Sequence, residues 1–163
     1  MWLKQFQPIL IIIKMENNSV SLQRVLKASP EKVFRAFADP LAYASWLPPY
    51  GFLCTVHEMD FKIGGRFKMS FTNFTTGNAH SFGGAFLDIR PNELIKNSDR
   101  FDDPNLPGEM ITTIWFKEVL CGTKLKVLQE GIPAEIPAAM CYLGWQESLE
   151  KLIKLVEPEI QDA

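Results

Sequence analysis

Hydrophobic and polar positions alternate along this chain with two different periods, and each change of period marks an element. From about Ser19 to Ala28, Val20, Leu22, Arg24, Leu26 and Ala28 alternate with Ser21, Gln23, Val25 and Lys27, an imperfect period of two that predicts a strand. Ser29-Pro30-Glu31 then reads as a helix start: the serine oxygen can accept from free amides, proline fits the first turn, and glutamate suits the positive end of the helix dipole. Val33, Phe34 and Phe37 give that helix one apolar face. Asp39-Pro40 opens a second short helix through Trp46, which Pro48-Pro49 and Gly51 close.

Period two returns at Cys54. The strand Cys54 to Phe61, a tight turn at Gly64-Gly65 and the strand Arg66 to Phe71 make a hairpin, with Phe67, Met69 and Phe71 on one face and Arg66, Lys68 and Ser70 on the other. A polar loop from Asn73 to His80 leads to Phe82 to Ile89, and Arg90-Pro91-Asn92-Glu93 turns the chain into Leu94 to about Phe101. Beyond the loop Asp102 to Gly108, Ile111 to Leu120 and Lys124 to Glu130 form another hairpin across Cys121-Gly122. Strands that follow one another without intervening helices predict an antiparallel meander. After Pro133 and Pro137 the period becomes helical: Cys141, Tyr142, Trp145, Leu149, Leu152, Ile153 and Val156 share an arc of roughly 120°. Glu147, Glu150, Lys151 and Lys154 lie opposite, spaced for i to i+4 pairs on a solvated face. The fold class is therefore α+β: one strand, two short helices, a run of strands and a C-terminal helix that must cover the sheet.

Composition narrows the function. With 163 residues, 47% of them hydrophobic, the chain makes one domain whose core needs neither metal nor disulfides. A net charge of -2 provides no field to attract nucleic acid or an anionic membrane surface, so neither is expected as a partner. Residues 1–14 read as an N-terminal extension, either a mis-assigned start before Met15 or an extra strand. Their greasy run, Ile9 to Ile13, is too short to span a bilayer and lacks a cleavage site behind it. The domain is expected over 15–157, with a tail at 158–163. Cys54, Cys121 and Cys141 are odd in number and widely spaced, which suggests neither a disulfide framework nor zinc and points to a reducing, cytoplasmic setting. Cys54 and His57 have C-x-x-H spacing, yet an offset of three on one strand puts them on opposite faces.

No phosphate loop, dinucleotide fingerprint, nucleophile elbow or H-E-x-x-H motif occurs. No catalytic residue, metal or cofactor is therefore assigned. Acid–base chemistry would have to rest on His57, His80, Glu58, Asp60 or Asp88, and Asp60 reads more simply as a polar strand end beside Gly64-Gly65. Asp99, Asp102 and Asp103 surround Arg100 in what reads as a solvated acidic loop after the fifth strand, without the spacing of a calcium loop.

Ser29-Pro30-Glu31-Lys32-Val33-Phe34, Asp39-Pro40, Trp46, Asp60 with Gly64-Gly65-Arg66-Phe67, Gly84 to Ile89, Pro91-Asn92-Glu93-Leu94, Gly122-Thr123-Lys124-Leu125, Glu130-Gly131-Ile132-Pro133 and Gly144-Trp145 with Ser148-Leu149 and Leu152 follow in a specific order. In that order the chain resembles the START/Bet v 1-like helix-grip superfamily and, within it, the family named for the activator of Hsp90 ATPase. The resemblance implies a curved seven-stranded antiparallel sheet gripping the long helix, with a cavity between them. It implies no common reaction. Lys96 departs from it, since an apolar residue is usual there, and suggests a fifth strand more open to water.

The 12 Phe, 4 Trp and 3 Tyr exceed what a minimal core requires and could fill a core or line that cavity. Tyr142, Trp145 and Leu149 on the helix and Phe67, Met69, Phe71, Phe86 and Phe116 on the strands are its expected wall. Gln129 shares strand parity with Leu125 and Val127, so an amide faces inward if they do; it and the Tyr142 hydroxyl are candidate polar anchors, or partners of backbone and trapped water. Gly144 is expected to let the helix approach the sheet. The leading expectation is a non-enzymatic monomer or homodimer that binds a small hydrophobic or amphipathic molecule. A chaperone-associated interaction module and a cyclase- or hydrolase-type enzyme are the alternatives.

Overall fold

The computed structural model describes residues 18–163, so the expected extension over 1–14 lies outside the described residues. The order is β1 (Val20–Leu26), α1 (Pro30–Ala38), α2 (Pro40–Trp46), β2 (Phe52–Met59), β3 (Arg66–Asn73), β4 (Ala79–Arg90), β5 (Leu94–Phe101), β6 (Met110–Val119), β7 (Gly122–Glu130) and α3 (Ala138–Val156). All seven strands pair antiparallel in one sheet, β1-β7-β6-β5-β4-β3-β2. From β2 onward each strand pairs with the next, while β1 closes the far edge against β7. The two short helices thus carry the chain from one edge of the sheet to the other.

Local chemistry sets the helix starts. Ser29 Oγ accepts from Lys32 N at 3.2 Å, and Asp39 Oδ1 accepts from Leu41 N at 2.9 Å and Ala42 N at 3.2 Å, with proline at the first position of both α1 and α2. The first hairpin is longer than a two-residue turn at Gly64-Gly65. β2 ends at Met59, and Asp60 to Gly65 fold into bonds of their own, Lys62 N to Asp60 O and Gly65 N to Lys62 O. Gly65 is obligatory there, because a Cβ would come within 1.9 Å of Asp60 O. The turn also reaches β4, with Gly64 N donating to Phe86 O and Phe86 N to Gly65 O.

Two register shifts re-aim side chains. One, between Val56 and Glu58, leaves Cys54 packed on the core while His57 Nε2 meets Ser70 Oγ at 2.7 Å. The other, between Phe86 and Asp88, lets Phe86 and Ile89 both join the core although they are three residues apart. Lys96 stands opposite Asp88 and is exposed, so it points away from the core and does not open β5 to water there.

The core concentrates beneath α1 and the C-terminal half of α3. Phe34 and Phe37 meet Phe116 edge to face at 5.4 and 5.1 Å, Phe37 meets Trp46 at 4.6 Å, and Phe61 joins Phe86 at 5.0 Å. Trp46 is fully buried and its Nε1 donates to Ala36 O at 2.9 Å, which satisfies its one polar atom. Leu149, Leu152 and Val156 of α3 complete this cluster. The charged face of α3 is not stitched by the anticipated pairs within the helix. Glu147 accepts from Tyr50 N at 3.1 Å, Lys151 donates to Pro48 O at 2.9 Å, and Glu150 pairs with Arg24 at 2.5 Å, so these side chains fasten α3 to β1 and to the α2–β2 connection.

Candidate functional site

Over the other half of the sheet the packing stops. A cavity of about 840 Å³ lies between the N-terminal half of α3 and the strands, bounded also by α2 and the β5–β6 loop. Its apolar wall includes Phe67, Met69 and Phe71 of β3, Phe82 of β4, Phe101 of β5, Met110 of β6 and Trp145 of α3. Phe71 and Phe82 stack edge to face at 4.8 Å. Gly144 faces this space too. A Cβ there would meet nothing within 4 Å, so the glycine serves no close helix–sheet approach and instead leaves room on the wall.

Five of the nine residues anticipated from sequence line the cavity: Phe67, Met69, Phe71, Gln129 and Trp145. Phe86, Phe116 and Leu149 lie in the packed core instead. Tyr142 is half-buried against the small cluster of Val20, Met110 and Ile132. Gln129 does face inward with Leu125 and Val127, and its Oε1 accepts from Trp145 Nε1 at 3.2 Å, which ties strand to helix across the cavity wall.

The polar part of the wall is richer than expected. Asn97, Thr112 and Gln129 stand in register on β5, β6 and β7 and form a polar row across the concave face. Strand parity explains it, because Ile95 and Asn97 are buried on the inner face and Asp99 and Phe101 follow at the same period. Tyr43 of α2 adds a phenol, and Ser148 a hydroxyl that donates to Leu47 O and Gly144 O at 2.5 and 2.9 Å.

Asp99 corrects the picture of a solvated acidic loop. It belongs to β5, lines the cavity, and its Oδ1 is shielded from solvent with no hydrogen bond from any described residue. Burial pushes its carboxyl up to about 7, against smaller opposing effects from the Arg100 backbone amide and the Lys68 charge. Burial and then the Asp99 charge raise the Tyr43 phenol well above its usual range. Asp102 and Asp103 do lie exposed, at the rim; Asp102 pairs with Lys68, and Asp103 accepts from Asn105 N at 2.9 Å.

The candidates for acid–base chemistry are scattered. His57 bonds Ser70 away from the core, Asp60 pairs with Lys62, Asp88 pairs with Arg90, and His80 sits exposed at the cavity rim. Among the described residues no group of three or more His, Cys, Asp or Glu is arranged to hold a metal ion, and no helix is long and apolar enough to cross a membrane.

Comparison with known proteins agrees with this architecture. A crystal structure from Chromobacterium violaceum is 55% identical, with the match covering 87% of this chain and 99% of that one at a TM-score of 0.86. A crystal structure from Rhodobacter sphaeroides, at 20% identity and a TM-score of 0.75, covers 84% of this chain and 90% of its own and shares the fold. A solution structure from Arthrobacter aurescens does likewise at 19% identity, a TM-score of 0.74 and coverage of 85% and 86%. No curated protein matches the chain significantly. The profile of the Activator of Hsp90 ATPase homolog 1-like proteins matches residues 27–157, from the end of β1 past the end of α3, and the chain belongs to that family.

Proposed function

We propose that this domain binds a small hydrophobic or amphipathic molecule between α3 and the sheet, selecting it by shape and by a few polar anchors. The observation that carries the reading is the cavity itself: about 840 Å³ walled mostly by aromatic and aliphatic side chains, in a chain that packs its remaining core tightly. Binding pockets for small molecules typically span about 300–1,000 Å³ and combine an apolar wall with few polar groups. Void space of this size forfeits dispersion contacts and costs stability, so a fold that keeps it open forgoes packing it could have had. Phe67, Met69, Phe71 and Trp145 would supply the apolar contact, with the polar row Asn97–Thr112–Gln129 giving orientation.

Family membership alone supports the alternative of a chaperone-associated module, and it leaves the cavity unexplained. The test is a native-mass and thermal-shift screen against lipids, sterols and polyketides. A bound species is expected together with a concentration-dependent rise in melting temperature, since a ligand at about 100 times its Kd adds about 2.7 kcal/mol. A panel of this breadth that yields neither would overturn the reading.

A further inference from the structure

The charged side chains among the described residues that line the cavity are all acidic, and the nearest cation, Lys68, is taken up by Asp102 at the rim. Asp99 lies on its wall and Asp102 and Asp103 at its rim, while among the described residues no lysine or arginine lines it. Of the three acids, Asp102 is neutralised by Lys68, Asp103 is open to water, and Asp99 alone is withdrawn into the wall with a carboxylate oxygen that receives no hydrogen bond from the described residues. A buried acceptor without a donor costs free energy in the empty protein, and a ligand that brings the donor recovers it. The surroundings of Asp99 set what that donor should be. Asn97 and Thr112 beside it are neutral, Tyr43 from α2 remains a neutral phenol, Cys141 on α3 is held as the thiol by burial, and Met110 stands opposite on β6.

Resting on the reading of the cavity as a binding site, we propose that its ligand carries a basic amine on an apolar body and that Asp99 is the residue that receives the ammonium group. An ammonium supplies three donors and a full positive charge in a low-dielectric pocket, where a charge-assisted bond to a carboxylate is about twice as strong as a neutral one. A fatty acid, by contrast, would place its carboxylate beside Asp99 with no lysine or arginine among the described residues of the wall to receive it. Selectivity therefore includes rejection of anionic lipids as well as attraction of amines.

Three probes with the same ten-carbon chain separate these possibilities: decylamine, decanol and decanoate, each titrated calorimetrically into the full chain below its micelle threshold. At pH 8 decylamine is expected to bind about tenfold or more tighter than decanol, with decanoate weakest. In Asp99→Asn the amine preference collapses while decanol binding persists. The preference should also fade from pH 8 toward pH 5 as the carboxyl takes up its proton, with Lys68, His80, Asp102 and Asp103 as the other titratable groups around this end of the cavity. Decanol binding as tightly as decylamine to the unaltered protein, or decanoate binding best, overturns the amine assignment while leaving the cavity reading intact. Failure of all three to bind overturns the amine assignment, while the cavity reading is overturned only if the broader screen of lipids, sterols and polyketides fails as well. The comparison of probes needs no variant to fold.

Discussion

Asp99 gives a sharp test because its environment acts on stability as well as recognition. In the unfolded chain its carboxyl titrates near 3.8, and in the folded protein near about 7. Between those values the folded state holds a proton that the unfolded state has released, so stability falls as pH rises, by about 1.4 kcal/mol per unit and about 4 kcal/mol in all. The contribution is absent below about pH 4 and complete above about pH 7. Asp99→Asn removes this titration, so urea unfolding should show the variant gaining on the wild type from pH 5 to about pH 7 and levelling off above that; a difference that stays flat or shrinks between pH 5 and pH 7 would contradict the burial of this carboxyl. The residue was within reach of the sequence, since Ile95, Asn97, Asp99 and Phe101 share one strand parity. The string Asp99-Arg100-Phe101-Asp102-Asp103 nonetheless reads as a polar loop, because acidic residues rarely face a concave sheet. Gln129 was legible for the opposite reason: its in-phase neighbours Leu125 and Val127 are unambiguously apolar and, as the structure has it, fully buried.

At the scale of elements, α3 divides in two. Its C-terminal half, Leu149, Leu152 and Val156, is packed core, while Met140, Cys141, Gly144, Trp145 and Ser148 of its N-terminal half border the cavity. A helical wheel identifies the inward arc but cannot show where along it packing gives way to space. It also passes over Ser148, which is buried because Leu47 O and Gly144 O accept its hydrogen bonds. Gly144 tests the division. It has ordinary helical backbone and open space where a Cβ would go, so Gly144→Ala should stabilise the protein by about 1 kcal/mol through helix propensity alone. Gly144→Leu should fold as well and place its side chain in the cavity, lowering affinity for any ligand found there. Chemical denaturation and titration of the two variants check both outcomes, and a loss of stability in Gly144→Ala would mean that the helix has no spare room at this point. In the sheet, an uninterrupted period of two cannot follow β4 through the register shift after Phe86, which brings Ile89 back to the core, whereas β5 keeps its alternation there and so turns Lys96 outward between Ile95 and Asn97.

For the whole molecule, the aromatic surplus resolves into two populations along the sheet rather than one. Beneath α1 the rings of Phe34, Phe37, Trp46, Phe86 and Phe116 interlock as solid core, whereas Phe71, Phe82, Phe101 and Trp145 face the cavity. Order and spacing of motifs carried the resemblance to the helix-grip superfamily, and it was that resemblance that implied the sheet, the helix gripped by it and a cavity between them. They could not divide the rings, because alternation reports which face a ring occupies and says nothing about what stands opposite. The division predicts unequal responses to the same truncation. Phe116→Ala deletes a buried ring held edge to face by Phe34 and Phe37 and should cost about 3–5 kcal/mol, since little around it can relax. Phe71→Ala deletes a half-buried ring that already borders open space, loses mainly its contact with Phe82, and should cost about 1–2 kcal/mol. Binding should respond in the reverse order: the Phe71 variant loses affinity for an apolar probe through its altered wall, and the folded fraction of the Phe116 variant binds it as before. Guanidinium unfolding with probe titration reads both quantities, and equal stability losses at the two sites would mean that the cavity end is as solidly packed as the core.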